Sequence, residues 1–341
     1  MDLLDPYGRL ISYLRLSVTD RCNLRCIYCM PHGDFSWIPH AEILRYEEIL
    51  LICEALSRLG VRKIRLTGGE PLVRKDLVDL AGRLARMDGI GEICITTNGL
   101  LLERYAASLL EAGVTHVNIS LDTLRPERFA AITGRDAFAL AWRGIEKALE
   151  VGFPRIKLNA VVMRGINEDE VVDLARLSLS SPIEVRFIEF MPIGTCSSWE
   201  QRRVVTCEEI KTLVEEALGP LEPHCSAKDS GPARIYSTSG APGNLGFISP
   251  LSRHFCATCN RIRITPDGRL RLCLFSDEEL DIKGMIRSRD GGDPEESILR
   301  LVAFFQDAIQ KKPAGHTVGL GKEGKPADGG RCVRGMSRIG G

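Results

Sequence analysis

This sequence lacks a surplus of charge of either sign. Among its 341 residues, Lys plus Arg and Asp plus Glu stand at 45 each. No overall basicity points to nucleic acid, and no acidic tail is present. No run of 18 apolar residues appears, so no membrane span is expected. The first residues, M-D-L-L-D-P-Y-G-R, are charged at once and lack an apolar segment, so no signal peptide is expected. A cytoplasmic chain is the reading, and there clustered thiols mean metal or catalysis more often than disulfides. One local absence matters most. The stretch C-N-L-R-C-I-Y-C-M-P (22–31) holds three cysteines but no fourth and no histidine.

Hydrophobic residues are plentiful at 44%, ample for a large core. β-Branched runs at 12–19, 63–68, 91–98, 116–122, 155–162 and 184–190 alternate with helical patterns at 41–60, 76–87, 103–113, 138–152, 168–179 and 207–218. Six such β/α units predict a parallel sheet with helices outside, as a curved partial barrel or a flat doubly wound sheet. After about Gly219 the chain turns to short strand candidates at 234–238, 245–248, 261–265 and 269–274. The last two flank Pro266–Asp267–Gly268 as a hairpin. Helices are expected near 277–287 and 295–311. From Pro313 on, a Gly/Lys-rich, mobile tail is expected. This divides the chain into 1–218, 219–312 and 313–341. G-L-G-K-E-G-K (319–325) satisfies two phosphate-loop patterns, but no strand precedes it and Pro326 follows, so it is read as tail.

The twelve cysteines fall into two triads and six scattered residues. Cys22, Cys26 and Cys29 (C-x3-C-x2-C) follow the first strand, where α/β folds build sites. A closed zinc site wants four ligands, whereas three thiolates on a four-iron cluster leave one iron open. Cys256, Cys259 and Cys273 (C-x2-C-x13-C) are less specific; with His254 they could form a Cys3His zinc ribbon. Cys53 and Cys94 read as small core residues. Arg15, Arg65 and Lys157 sit on strand candidates among apolar neighbours, a costly position unless an anion or an internal carboxylate such as Glu70 or Glu189 pairs with them. Arg261 and Arg263 share one face of a strand, and their donor forks suit phosphate.

The first triad with Tyr28 before its last cysteine resembles the signature of radical S-adenosylmethionine enzymes. L-R-L-S-V-T-D-R-C-N (14–23), K-I-R-L-T-G-G-E-P-L (63–72), T-T-N-G (96–99), N-I-S-L-D (118–122) and V-R-F-I-E-F-M-P (185–192) fit as well. With C-x2-C-N-R-I-R (256–263) and the terminal Gly-Gly, the chain resembles the GTP 3′,8-cyclase family of molybdenum cofactor biosynthesis over nearly its whole length. The resemblance implies a six-fold (β/α) partial TIM barrel with a C-terminal α+β cluster domain. It implies two [4Fe-4S] clusters, on Cys22, Cys26 and Cys29 and on Cys256, Cys259 and Cys273. It assigns Tyr28, Gly69, Ser120 and Met191 to S-adenosylmethionine. Arg15, Lys63, Arg65, Thr96, Lys157, Arg186, Arg261, Ile262 and Arg263 are assigned to GTP, and Arg261, Arg263, Gly340 and Gly341 to catalysis. The implied reaction takes a hydrogen atom from C3′ of GTP and joins C3′ to C8. An electron donor and a downstream cyclic pyranopterin-forming enzyme are implied partners, with a monomer or homodimer as the assembly. Another radical enzyme with an auxiliary cluster, and a non-catalytic iron–sulfur or zinc protein, are the alternatives.

Overall fold

The structure is a computed structural model and describes residues 2–30, 36–194, 199–224, 231–288, 293–320 and 332–340. The alternating pattern folds as a run of β/α units. These are β1 (Tyr13–Ser17) with α1 (Tyr46–Arg58), β2 (Lys63–Thr67) with α2 (Leu77–Ala85), and β3 (Glu92–Thr97) with α3 (Leu102–Glu111). There follow β4 (Val114–Ser120) with α4 (Pro126–Thr133) and α5 (Phe138–Glu150), β5 (Arg155–Val162) with α6 (Val171–Ser180), and β6 (Ile183–Glu189) with α7 (Cys207–Leu218). Helix α1 is shorter than its apolar pattern because a 3-10 turn, His40–Glu42, takes up the start. Glu48 then closes the helix N-terminus by accepting from the Arg45 backbone N–H at 2.6 Å. Helix α4 has no counterpart in the sequence reading. It is eight residues long, begins at Pro126 and stops at Gly134, whose φ of 70° ends the helix.

Strands β1 to β6 lie in sequential order and all pair in parallel. An order that never reverses, joined by right-handed crossovers, puts every helix on one face and leaves the other as an interior. This decides for the curved partial barrel over the doubly wound sheet, whose strand order must reverse. Strand β2 is buried at all five positions: Ile64 and Leu66 pack under helices while Lys63, Arg65 and Thr67 face inward.

The later strands extend this same sheet at both edges. β7 (Glu222–Pro223), β8 (Arg234–Ser237) and β9 (Asn244–Ile248) add beside β6, with β9 parallel to it. β10 (Arg261–Ile264), β11 (Arg269–Arg271) and β12 (Leu280–Asp281) add beside β1, with β10 parallel to it. The described sheet has twelve strands and stays open, in the order β12-β11-β10-β1-β2-β3-β4-β5-β6-β9-β8-β7. The second triad is thereby carried to the edge next to the first. α8 (Lys283–Arg287) and α9 (Pro294–Ile309) follow, and α9 packs on α1. No helix among the described residues is long and apolar enough to cross a membrane.

The expectation of a mobile tail from Pro313 on falls partly on residues 321–331, which lie outside the described residues, while the described parts of that stretch are tied to the barrel. Buried Arg9 donates to the carbonyls of Pro313 and Ala314 and to that of Cys256. Further on, α10 (Met336–Ile339) buries Ile339 fully. Cys332, without a role in the sequence, is buried and its Sγ accepts from Arg271 Nη2 at 3.1 Å. Most of the 319–325 stretch, and Gly341, lie outside the described residues.

Candidate active site

The inward face of the barrel encloses a cavity of about 290 Å³ that reaches from the first residues of β1, β2 and β10 to the loops beyond their C-terminal ends. All six triad cysteines line it, and each is a free thiol of intermediate exposure. The first triad lies on the loop after β1. Gly68 and Gly69 end β2 against that loop: a Cβ on Gly69 would sit 2.3 Å from the Arg21 carbonyl oxygen, and one on Gly68 2.5 Å from that of Thr19. These glycines are thus required by the close approach of two backbones, before any question of a ligand's approach. The Gly69 N–H donates to Thr19 O at 2.7 Å.

Acidic groups surround this end of the cavity. Tyr28 donates to Asp122 Oδ2 at 2.6 Å, and the Val161 backbone N–H donates to Asp122 Oδ1 at 2.8 Å. Burial raises Asp122 to about 6. Glu70 accepts from Leu72 N, Thr97 Oγ1 and Asn98 N at 2.7–3.0 Å, and burial raises it to about 7. Burial also pushes Cys22 to about 11, helped by Glu70, and Cys29 to about 12, helped by Cys22 and Asp122. Ser120 and Met191 line the same cavity.

The other end is cationic. Arg15 on β1 stands in register with Arg65 on β2 and Arg263 on β10; Tyr13 stands in register with Lys63 and Arg261. Period-two alternation then sends all of these side chains into the interior, where they line the cavity. Burial, with Arg65 and Arg261 nearby, lowers Arg15 to about 10. Arg263 is lowered well below the usual guanidinium range by burial and by Arg15 and Arg261. Cys259 moves the opposite way from the first triad. Burial raises it, but Arg261 and Lys312 outweigh that and bring it down to about 7. Buried Lys312 donates to the carbonyls of Arg261 and Leu272 at 2.8 and 2.5 Å, bracing the second triad's hairpin.

The internal ion pairs differ from the sequence expectation. Glu70 accepts from the groups named above, and Glu189 accepts from Cys207, Leu251 and Ser252. Lys63 instead pairs with Glu92, and Arg186 with Glu184. Lys157 is buried in register with Asn118 and Glu184 but is not among the residues lining the cavity, and burial with Arg186 nearby lowers it to about 7. Ile262 alternates outward and packs in the apolar core, so only its backbone could meet a ligand. Cys53 and Cys94 are both fully buried core residues, as expected. Cys94 faces inward and donates to Glu92 Oε1 at 2.9 Å. The Gly340 carbonyl accepts from Arg263 Nη1.

Three buried polar atoms on the cavity wall, Thr96 Oγ1, Asn118 Oδ1 and Asn159 Oδ1, have no protein hydrogen-bond partner. Buried polar groups are normally satisfied, so this wall is made for a polar ligand. Asn118 and Asn159 were missed by sequence reasoning, although Asn118 lies two residues before Ser120 and shares its face. Asn159 stands opposite Ser120 in register. Arg9, Lys312 and His316 also line the cavity, and no motif in the sequence marked them. Two soft thiol triads without disulfides fit iron–sulfur clusters in the chemistry of their donors.

Residues 16–178 match the Radical SAM superfamily, and residues 183–318 match Molybdenum Cofactor Synthesis C. The GTP 3′,8-cyclase of Pelotomaculum thermopropionicum is 48% identical over 337 residues, 99% of both chains. That of Moorella thermoacetica is 46% identical over 337 residues, again 99% of both. The GTP 3′,8-cyclase of Heliobacterium modesticaldum is 48% identical over 92% of this chain and 94% of its own. Among solved structures, Streptococcus suis SuiB bound to S-adenosylmethionine superposes with a TM-score of 0.61 at 15% identity, covering 89% of this chain and 68% of that one. That likeness bears on the fold. Sequence identity of this extent, over both halves of the barrel and both thiol triads, means that the chain belongs to the GTP 3′,8-cyclase family of the radical S-adenosylmethionine superfamily.

Proposed function

We propose that the cavity holds GTP between the two thiol triads and that the chain converts it to (8S)-3′,8-cyclo-7,8-dihydroguanosine 5′-triphosphate, the first step of molybdenum cofactor biosynthesis. The observation that carries this reading is one cavity with two unlike ends: thiols among carboxylates at one, thiols among arginines at the other. Cys22, Cys26 and Cys29 would hold one [4Fe-4S] cluster, and Cys256, Cys259 and Cys273 the other. When bound, the first cluster with S-adenosylmethionine supplies a 5′-deoxyadenosyl radical that takes the C3′ hydrogen atom of GTP.

The chain's own residues bind and orient. Asp122 and Glu70 offer negative charge to the cationic sulfonium and amine of S-adenosylmethionine, beside Tyr28, Gly69, Ser120 and Met191. Arg15, Lys63, Arg65, Arg186, Arg261 and Arg263 offer cations to the triphosphate, with Lys157 buried near them and the Ile262 backbone between the two arginines. Thr96, Asn118 and Asn159 offer polar atoms that lack protein partners. Fixing the base at one end and the phosphates at the wall keeps C3′ and C8 within reach of each other, so the ring closure is governed by orientation. Arg263 holds the Gly340 carbonyl at the cavity, which supports a role for the Gly-Gly end in placing the substrate. The region 219–312 supplies the second centre. An electron donor, a cyclic pyranopterin-forming enzyme downstream and a cytoplasmic location follow from this reading.

The test is anaerobic. The protein is reconstituted with iron and sulfide, reduced, and given S-adenosylmethionine with and without GTP. Strong stimulation of 5′-deoxyadenosine formation by GTP, with a product of the same mass as GTP, is expected. Cleavage of S-adenosylmethionine that leaves GTP unchanged would sink the substrate assignment.

A further inference from the structure

His316 lies beyond the second triad's hairpin, yet the fold returns it to the metal end of the cavity. One ligand atom each from His254, Cys256 and His316 lies within 4.8 Å of the others. Three independent features bring the 313–318 segment there. Arg9 donates to the carbonyls of Pro313, Ala314 and Cys256, tying the segment to the triad. Gly315 abuts Cys256 so closely that a Cβ would stand 3.0 Å from the cysteine Cβ and 3.3 Å from its Sγ. His316 packs between Phe275 and His254, with ring centroids 4.2 and 4.3 Å away.

The ring is also oriented. Val318 O can only accept, so His316 Nδ1, 3.1 Å from it, carries the proton. The lone pair is then on Nε2. A backbone carbonyl on one ring nitrogen, fixing the tautomer and leaving the other nitrogen to the metal, is the usual arrangement of a metal-bound histidine. Imidazole is also an accepted iron–sulfur ligand. His254 has the same chemistry but is exposed, whereas His316 is part of the cavity wall.

We propose that His316 Nε2 is the non-cysteine ligand of the metal centre on Cys256, Cys259 and Cys273 in the substrate-free protein, and that the purine of the substrate displaces it. The inference rests on the two-cluster reading above. The thiolates supply three ligands, and His316 fills the vacant position until a better-placed nitrogen or oxygen of the base arrives. Exchange of one neutral ligand for another leaves charge and electron count unchanged. The vacant position is thereby kept from water and adventitious thiols, and it opens only on binding.

The experiment uses the full chain, cluster-loaded, reduced, and labelled with 15N-histidine, examined by pulsed electron paramagnetic resonance. A strongly coupled histidine nitrogen is expected without substrate. It should vanish on adding GTP and in His316→Ala, and persist in His254→Ala. No such coupling in the substrate-free protein, its survival in His316→Ala, or its loss in His254→Ala overturns the assignment. X-ray absorption at the edge of whatever metal the second triad carries reads the same ligand by its nitrogen shell. If zinc is found there in place of iron, the cluster reading fails, and a nitrogen shell lost in His316→Ala still identifies the ligand. A shell unchanged by that substitution overturns it.

Discussion

The two thiol triads face the same cavity with the same donor atoms, yet their surroundings are opposite. Around Cys22, Cys26 and Cys29 burial above all pushes the thiols up, with Asp122 and Glu70 adding to it and Arg25 opposing it at Cys22. Around Cys259 stand Arg261 and Lys312, and the thiol is brought down to about 7 despite burial. The difference teaches which partner each end prefers. Negative neighbours attract a sulfonium cation, while positive neighbours stabilise thiolates and attract a polyanion. Identical ligand chemistry is divided into two tasks by the charges that the sheet places next to it.

Removing one cysteine from each end breaks the comparison most strongly. Cys26→Ala is expected to abolish S-adenosylmethionine cleavage, and iron should fall by about half as one of two clusters is lost. Cys259→Ala should lose a similar share of iron and abolish GTP conversion, yet retain slow cleavage of S-adenosylmethionine. Equal loss of cleavage in both variants would mean that the ends are not separate.

The next largest effect belongs to Arg263. Arg263→Ala removes a charge that faces the cavity and releases the Gly340 carbonyl. An apparent affinity for GTP weaker by about ten- to a hundredfold is expected, from the ~1.5–3 kcal/mol of a charged hydrogen bond. The dissociation constant of S-adenosylmethionine should stay within about twofold, well under 1.4 kcal/mol. Equilibrium binding of each ligand, measured separately, checks both. Asp122→Asn should do the reverse at the other end. S-adenosylmethionine is expected to bind about three- to tenfold more weakly, roughly 1 kcal/mol, with GTP binding unchanged. A uniform loss for both ligands would reduce Asp122 to a structural hydrogen-bonding residue.

The smallest effect is a proton. Burial and Arg186 hold Lys157 at about 7, below its ordinary 10.5. The folded chain therefore binds fewer protons than the unfolded chain between these values, and stability rises with pH across that window. A bound triphosphate favours the charged form, so GTP binding at pH 8 should take up part of a proton. Calorimetry in buffers of different ionisation enthalpy reads this, and Lys157→Met should remove it. Identical uptake in the variant would place the triphosphate away from β5.

Several features were legible in the residues themselves. The thiol spacings, the helix periodicity and the isolated strand cations each carry a local signal: ligand geometry, the 3.6-residue face, and the cost of burying a charge. Six of the seven barrel helices could be read that way. Helix α4 could not, because one short helix inside a connection has too few turns to show a period. The carboxylate partners of Lys63 and Arg186 were not readable, because Lys63 and Glu92, or Arg186 and Glu184, meet through strand register and through a two-residue step, not through any motif. Cys94 is buried as expected, but an apolar run does not tell which face of a parallel strand turns inward, so its contact with Glu92 was not readable.

The sequence by itself determined the alternation of strands and helices, the two sets of soft ligands and the presence of buried cations, since these depend on residue type and local spacing. Only the tertiary structure decided that β9 and β10 join opposite edges of one open sheet, that both triads share one cavity, and that residues 313–318 return to Cys256. The reason is physical. Strand order, register and the return of a distant segment are set by which hydrogen bonds and packed surfaces best satisfy the whole chain, and no local run of residues encodes them.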